Sequence, residues 1–149
     1  MTDIAIRRAI DPADREACFA IRVEVFVHEQ GVPSEVELDA HDAPGAATAH
    51  LLVLAGSRPV GAMRWRVAAP GKAKIERVAV LKAARGLGVG RLLMGEALRE
   101  IAAAGLGSAA LHAQASARAF YERLGFVAEG EPFEEEGIEH VYMRLDPLP

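Results

Sequence analysis

At 149 residues and 51% hydrophobic composition, the chain has enough apolar material for one domain, residues 1–149, around a single core. A formal net charge of −4 excludes a general nucleic-acid or anionic-membrane binder, which needs a basic excess. The lone cysteine, Cys18, cannot close an internal disulfide, no apolar run nears the roughly 20 residues of a membrane span, and no opening stretch reads as a signal peptide; a soluble cytoplasmic protein is expected.

Ile4, Ile6 and Ile10 alternate with polar neighbours, which predicts a first strand near residues 3–9. Asp11 and Pro12 have the form of an N-cap and first helical residue, and Cys18, Phe19, Ile21, Val25 and Phe26 supply the buried stripe of a helix reaching about Glu29. From Gly31 to Gly45 the pattern breaks into an acidic loop carrying Glu35, Glu37, Asp39 and Asp42. His50–Leu54 and Val60–Val67 read as a hairpin turning around Gly56 to Pro59, and Ala73–Val80 as the next strand. Gly88–Ala103 carries Val89, Leu93, Ala97 and Ile101 at four-residue steps, an amphipathic helix ended by Gly105 and Gly107. Leu106–Ala113 is a further strand, Ser116–Leu124 a short helix closed by Gly125. Phe126–Leu145 makes two antiparallel strands around Glu134 to Gly137. The order predicts a mixed α/β layer fold.

Between Val80 and the helix at 88 lies Arg85-Gly86-Leu87-Gly88-Val89-Gly90-Arg91, a glycine turn with flanking arginines. Amides of such a turn, with a helix N-terminus behind them, hold phosphate. A dinucleotide G-x-G-x-x-G from Gly86 needs glycine where Arg91 stands. A P-loop from Gly86 fails at the same residue, and one from Gly90 meets Glu96 where lysine is required.

What remains, Arg-x-x-Gly-x-Gly between strand and helix, resembles the acetyl-CoA signature of the GCN5-related N-acetyltransferase superfamily. The likeness extends back through Ile75 to Val80 and forward to Gln114 to Phe126, with its Phe-Tyr-Glu-Arg-Leu-Gly-Phe close, and covers nearly the whole chain. It implies a mixed, mostly antiparallel central sheet of about six or seven strands, splayed between the fourth and fifth, with helices on both faces. It implies acetyl-CoA as co-substrate and a small amine as acceptor. The turn from Arg85 through Gly86, Leu87, Gly88, Val89, Gly90 and Arg91 would take the pyrophosphate. The backbone of Val78, Ala79 and Val80 would bind the pantetheine arm as an added strand. Gln114 stands where many family members carry asparagine, a longer amide able to reach the coenzyme. Dimers are frequent in that family; the sequence leaves the oligomeric state open.

Acetyl transfer to an amine needs a base for the ammonium, a donor for the developing oxyanion and a proton for the departing sulfur. By resemblance Tyr121 is the proton donor, Glu76 on the fourth strand the general base, acting directly or through a water, and an amide near Val78 or Ala79 the oxyanion donor. On the acceptor side, Phe26, Glu29, Asp39 and Asp42 form a carboxylate-rich rim that would attract a cationic amine; the other reading is a solvated acidic loop. His28, His41, His50 and Asp39 lack metal-ligand spacing, so no metal is expected. His112 reads either as polar lining of a cleft or as a core histidine, and Cys18 as packing. Glu134 to Glu136 reads as an exposed turn, with a place on the acceptor side left open. The alternatives to an acetyltransferase are a non-catalytic acyl-CoA sensor and a transferase of longer acyl chains. For the latter, Arg22-x-x-x-Phe26 faintly resembles acyl-homoserine-lactone synthases.

Overall fold

The computed structural model describes residues 3–149. Its strands are β1 (Ile4–Arg8), β2 (Thr48–Ala55), β3 (Arg58–Ala69), β4 (Lys72–Val80), β5 (Ser108–Gln114), β6 (Val127–Glu135) and β7 (Ile138–Leu145). They form one sheet ordered β1-β2-β3-β4-β5-β7-β6. The helices flanking it are α1 (Pro12–Arg22), α2 (Ser34–Glu37), α3 (Val89–Ala103) and α4 (Arg118–Arg123). Among the described residues, no helix is long and apolar enough to cross a membrane. The sequence reading of a mixed, mostly antiparallel sheet holds: β1–β2, β2–β3, β5–β7 and β6–β7 pair antiparallel, and β4 pairs β5 in parallel.

The chain divides into two compact units. The first comprises Met1–Arg66 and Arg77–Ala97. Within it α1 opens as the sequence predicts, with the Asp11 side chain accepting from the Asp14 amide and Pro12 at the first turn. Cys18 and Ile21 of α1, with Val25 just after it, pack in one core with Leu52, Leu54, Ala62 and Ala79. The helical path continues to Glu29, as expected, but from Val23 it widens to π-helical turns, with the Gln30 amide donating to the Val25 carbonyl at 3.1 Å. The larger departure is at 31–45. That segment is no solvated loop: it contains α2 and a 3-10 turn at Ala40–Asp42, and both Glu37 and Asp42 are buried.

The second unit comprises Val67–Glu76 and Leu98–Pro149. Here β4 pairs β5 in parallel over Lys72↔Ser108 to Ile75↔Leu111. β5 pairs β7 antiparallel, placing His112 opposite Tyr142 and Gln114 opposite His140. The β6–β7 hairpin turns at Glu136-Gly137, both at positive φ, so Glu134 and Glu135 belong to the strand and not to the turn. On β5 the buried Ala109, Leu111 and Ala113 alternate with half-buried Ser108, Ala110, His112 and Gln114. Its faces are therefore a core face and a more open one.

Candidate active site

In the first unit, β4 runs into a 3-10 turn at Lys82–Ala84, anchored by the buried Ala84 and by the Leu81 amide on the Val60 carbonyl at 2.9 Å. The chain then passes through Gly86 at φ 85° and Gly88 at φ 81°, a region that side-chain-bearing residues enter at a cost. A Cβ at either glycine would meet nothing within 4 Å, so no neighbouring group crowds the chain there. The first α3 bond is Leu92 N–H to Gly88 O at 3.0 Å, which leaves the amides of Val89, Gly90 and Arg91 at the helix's unpaired N-terminal turn. Gly61 on β3 seats this helix end: a Cβ there would lie 2.5 Å from Val89 Cγ1. Leu87 and Arg91 are exposed, while Ala79 packs into the core and Val78 and Val80 are half-buried. The geometry fits a pyrophosphate cradle.

Arg85 is committed to two partners. Its Nε donates to the Val80 carbonyl at 3.0 Å, and its two terminal nitrogens grip the Glu29 carboxylate at 2.6 and 2.7 Å. The pair ties the end of the first helix to the cradle and holds the Glu29 carboxyl below its ordinary range. Glu29 and Arg85, expected on the acceptor and coenzyme sides respectively, are thus brought together.

Asp39 and Asp42 belong to a balanced set of three carboxylates and three arginines. Arg22, fully buried on α1, donates to Glu37 Oε2 at 2.9 Å and to both Asp42 oxygens at 2.8 and 2.9 Å. Arg64, also fully buried, spans Asp39 and Asp42 at 2.8–2.9 Å. Arg77 reaches Glu37 at 3.2 Å and Asp39 at 3.5 Å from a left-handed position in mid-strand, φ 59°, which is unusual for a residue with a side chain. Burial alone would raise the Asp42 carboxyl, but the bonds from Arg22 and Arg64 outweigh it and hold it well below the usual range. For Glu37 burial prevails and the shift is upward. Arg64 holds Asp39 down.

His50 sits beside this set, buried, with the Phe19 ring edge-on at 5.6 Å and Asp42 Oδ1 3.8 Å from Nε2. Neither ring nitrogen is hydrogen-bonded among the described residues, and burial lowers the imidazole to about 4. The unfolded chain then binds a proton, between about pH 6.5 and pH 4, that the folded protein refuses, so stability rises with pH through that window. The contribution is about 3 kcal/mol, and urea midpoints at pH 7 and pH 4.5 should fall less for His50→Leu than for wild type. An equal fall in both proteins would rule this out. Cys18 is equally inert: burial pushes its thiol to about 12, and Sγ donates to the Leu51 carbonyl at 3.4 Å.

In the second unit, Tyr121 lies on α4 with its ring between Phe120 at 5.0 Å and Phe126 at 6.0 Å. Burial raises its phenol to about 12, so the hydroxyl keeps its proton at neutral pH, the state that a donor needs. Gln114 ends β5 and is half-buried. Glu76 is mostly buried with Lys74 Nζ 3.5 Å from Oε2. Among the described residues no group of histidine, cysteine, aspartate and glutamate is arranged to hold a metal.

Arg22, Arg64 and Arg77 went unassigned from sequence. Arg22 carried a usable signal, because it lies four residues from Cys18 and from Phe26 on an apolar stripe, where a charge must be paired. Arg64 and Arg77 sit in strands that read as ordinary alternation.

Residues 10–147 match a family model described as an acetyltransferase (GNAT) domain. The uncharacterized N-acetyltransferase YjcF of Bacillus subtilis (strain 168) is 42% identical over 130 residues, covering 86% of this chain and 89% of its own. A Lactobacillus plantarum structure superposes with a TM-score of 0.89 at 29% identity, over 98% of this chain and 99% of that one. An acyl-CoA N-acyltransferase from Pseudomonas aeruginosa does so at 0.82 with 34% identity, over 97% and 99%.

Proposed function

The chain belongs to the GNAT acetyltransferase family, and from that premise we propose a reaction: transfer of the acetyl group of acetyl-CoA to a primary amine of a small molecule, directly within a ternary complex. The observation that carries this is the open cradle at Gly86 and Gly88 before the first turn of α3, whose amides suit a pyrophosphate. Acetyl-CoA supplies the activated acyl group; the chain's residues bind, orient and move protons.

In this reading the amides from Gly86 to Arg91 hold the diphosphate, and the backbone of Val78 to Val80 lies along the pantetheine arm. Gln114 adds a side-chain amide to the coenzyme. Tyr121 gives its phenolic proton to the departing sulfur, for which its protonated state at neutral pH is the support. Glu76 is one group able to take the ammonium proton, although Lys74 already faces its carboxylate. Phe26 and Glu29 are the acceptor-side groups. Asp39 and Asp42, matched by arginines, shape that side rather than supply a free negative charge.

The test follows free-thiol release from acetyl-CoA against polyamines, aminosugars, amino acids and peptide N-termini. Amine-dependent release with at least one class is expected. Coenzyme binding without release across the panel, and with longer acyl donors, would instead make the protein an acyl-CoA sensor.

A further inference from the structure

On the open face of β5 in the second unit, His112 sits within a cluster that the reaction above does not use. Its Nδ1 is 2.9 Å from Glu135 Oε1 on β6. The other carboxylate oxygen, Oε2, is 3.7 Å from Nε2 of His140 on β7. Phe133 packs edge-on to His112 at 5.0 Å and stacks on His140 at 5.9 Å, and Tyr142 borders His112 at 6.1 Å.

The bonding partners determine where the protons are. A carboxylate only accepts, so with Glu135 ionised Nδ1 of His112 carries the hydrogen, and a neutral ring presents its lone pair at Nε2. His140 Nδ1 bonds the Ile138 carbonyl at 2.7 Å and is therefore the donor there. Its Nε2 then turns a lone pair toward Glu135 Oε2, a contact that only a proton would make attractive. The cluster has two places to accept a proton and a carboxylate placed to stabilise either.

We propose that His112, oriented by Glu135, is the general base that takes the proton from the acceptor ammonium. This rests on the acetyltransferase reading, because Gln114, assigned there to the coenzyme, follows His112 by two residues on the same face of β5, roughly 7 Å along the strand. Glu76 is less suited, with a lysine ammonium facing its carboxylate. One ammonium proton passes to His112 Nε2 before attack, and Nδ1–H···Glu135 becomes charge-assisted. The freed lone pair forms the N–C bond as the C–S bond breaks. The second nitrogen proton, lost as the amide forms, replaces the one that Tyr121 gives to sulfur. The proton on His112 leaves to solvent. The titratable and charged groups around it are Glu135 on β6, His140 and Tyr142 on β7, and Lys72, Lys74 and Glu76 on the paired strand β4.

His112→Gln should lower kcat by about 10²–10⁴-fold and remove the acidic limb of the kcat/KM–pH profile, while acetyl-CoA binding by calorimetry stays within about threefold. Glu135→Gln, on an exposed strand, should lower kcat about tenfold while acetyl-CoA binding stays unchanged, and imidazole should restore turnover to His112→Ala. A His112→Gln enzyme with unimpaired kcat, or Glu76→Gln losing the acidic limb instead, overturns the assignment while leaving the acetyltransferase reading intact. Wild-type protein without amine-dependent thiol release overturns both. Should the His112 variants fail to bind acetyl-CoA, Glu135→Gln decides, and an unchanged kcat in that variant overturns the proposal.

Discussion

Arg22→Ala is expected to lose about 3–5 kcal/mol of folding stability, read as a fall in the urea midpoint at unchanged slope. The size follows from what the substitution leaves behind. Arg22 is fully buried and donates to Glu37 Oε2, both Asp42 oxygens and the Glu37 carbonyl. Its removal strips one positive charge from a balanced set and leaves carboxylates in a buried place without their main partner. Arg64 and Arg77 compensate only in part, since Arg64 is already divided between Asp39 and Asp42. Arg22→Lys should recover little, because one ammonium cannot span two carboxylates and a carbonyl as a guanidinium does. Losses of under about 1 kcal/mol in Arg22→Ala would mean that water replaces the guanidinium without difficulty.

Tyr121→Phe should lower kcat by about 10²-fold or more while the KM for acetyl-CoA stays near the wild-type value. A phenyl ring fills the same space beside Phe120 and Phe126, so packing is preserved and only the hydroxyl is lost. With the phenol raised to about 12, the wild-type group stays protonated across the whole neutral range. The deficit in Tyr121→Phe should therefore be nearly constant from pH 6 to pH 9. Unchanged kcat would remove Tyr121 from the chemistry. A deficit confined to KM would make it a binding residue.

The elements with clean periodicity were legible from sequence. The four-residue steps of Val89, Leu93, Ala97 and Ile101 define α3, and Asp11-Pro12 marks the start of α1. The glycine turn was legible because its glycines answer a backbone requirement, and Gly86 and Gly88 do stand at positive φ. What stayed hidden depends on partners distant in the chain. Glu37 and Asp42 look solvated beside Gly31, Pro33, Pro44 and Gly45, and Arg22, Arg64 and Arg77 make their burial tolerable. Glu29 and Arg85 meet across 56 residues of sequence, beyond any local pattern. His140 shows no spacing with His112, because the antiparallel register of β5, β7 and β6 brings them to one carboxylate.

Gly61 and Val89 carry a consequence for how this sequence can drift. A Cβ at 61 would collide with Val89 Cγ1, a branched side chain with no rotatable tip to swing aside. The two positions share one fixed volume, so a descendant that gains a methyl group at 61 has to surrender one at 89. Across relatives of this chain, a larger residue at the first position should travel with alanine or glycine at the second. Lineages keeping valine at the head of α3 should have no freedom at 61 at all.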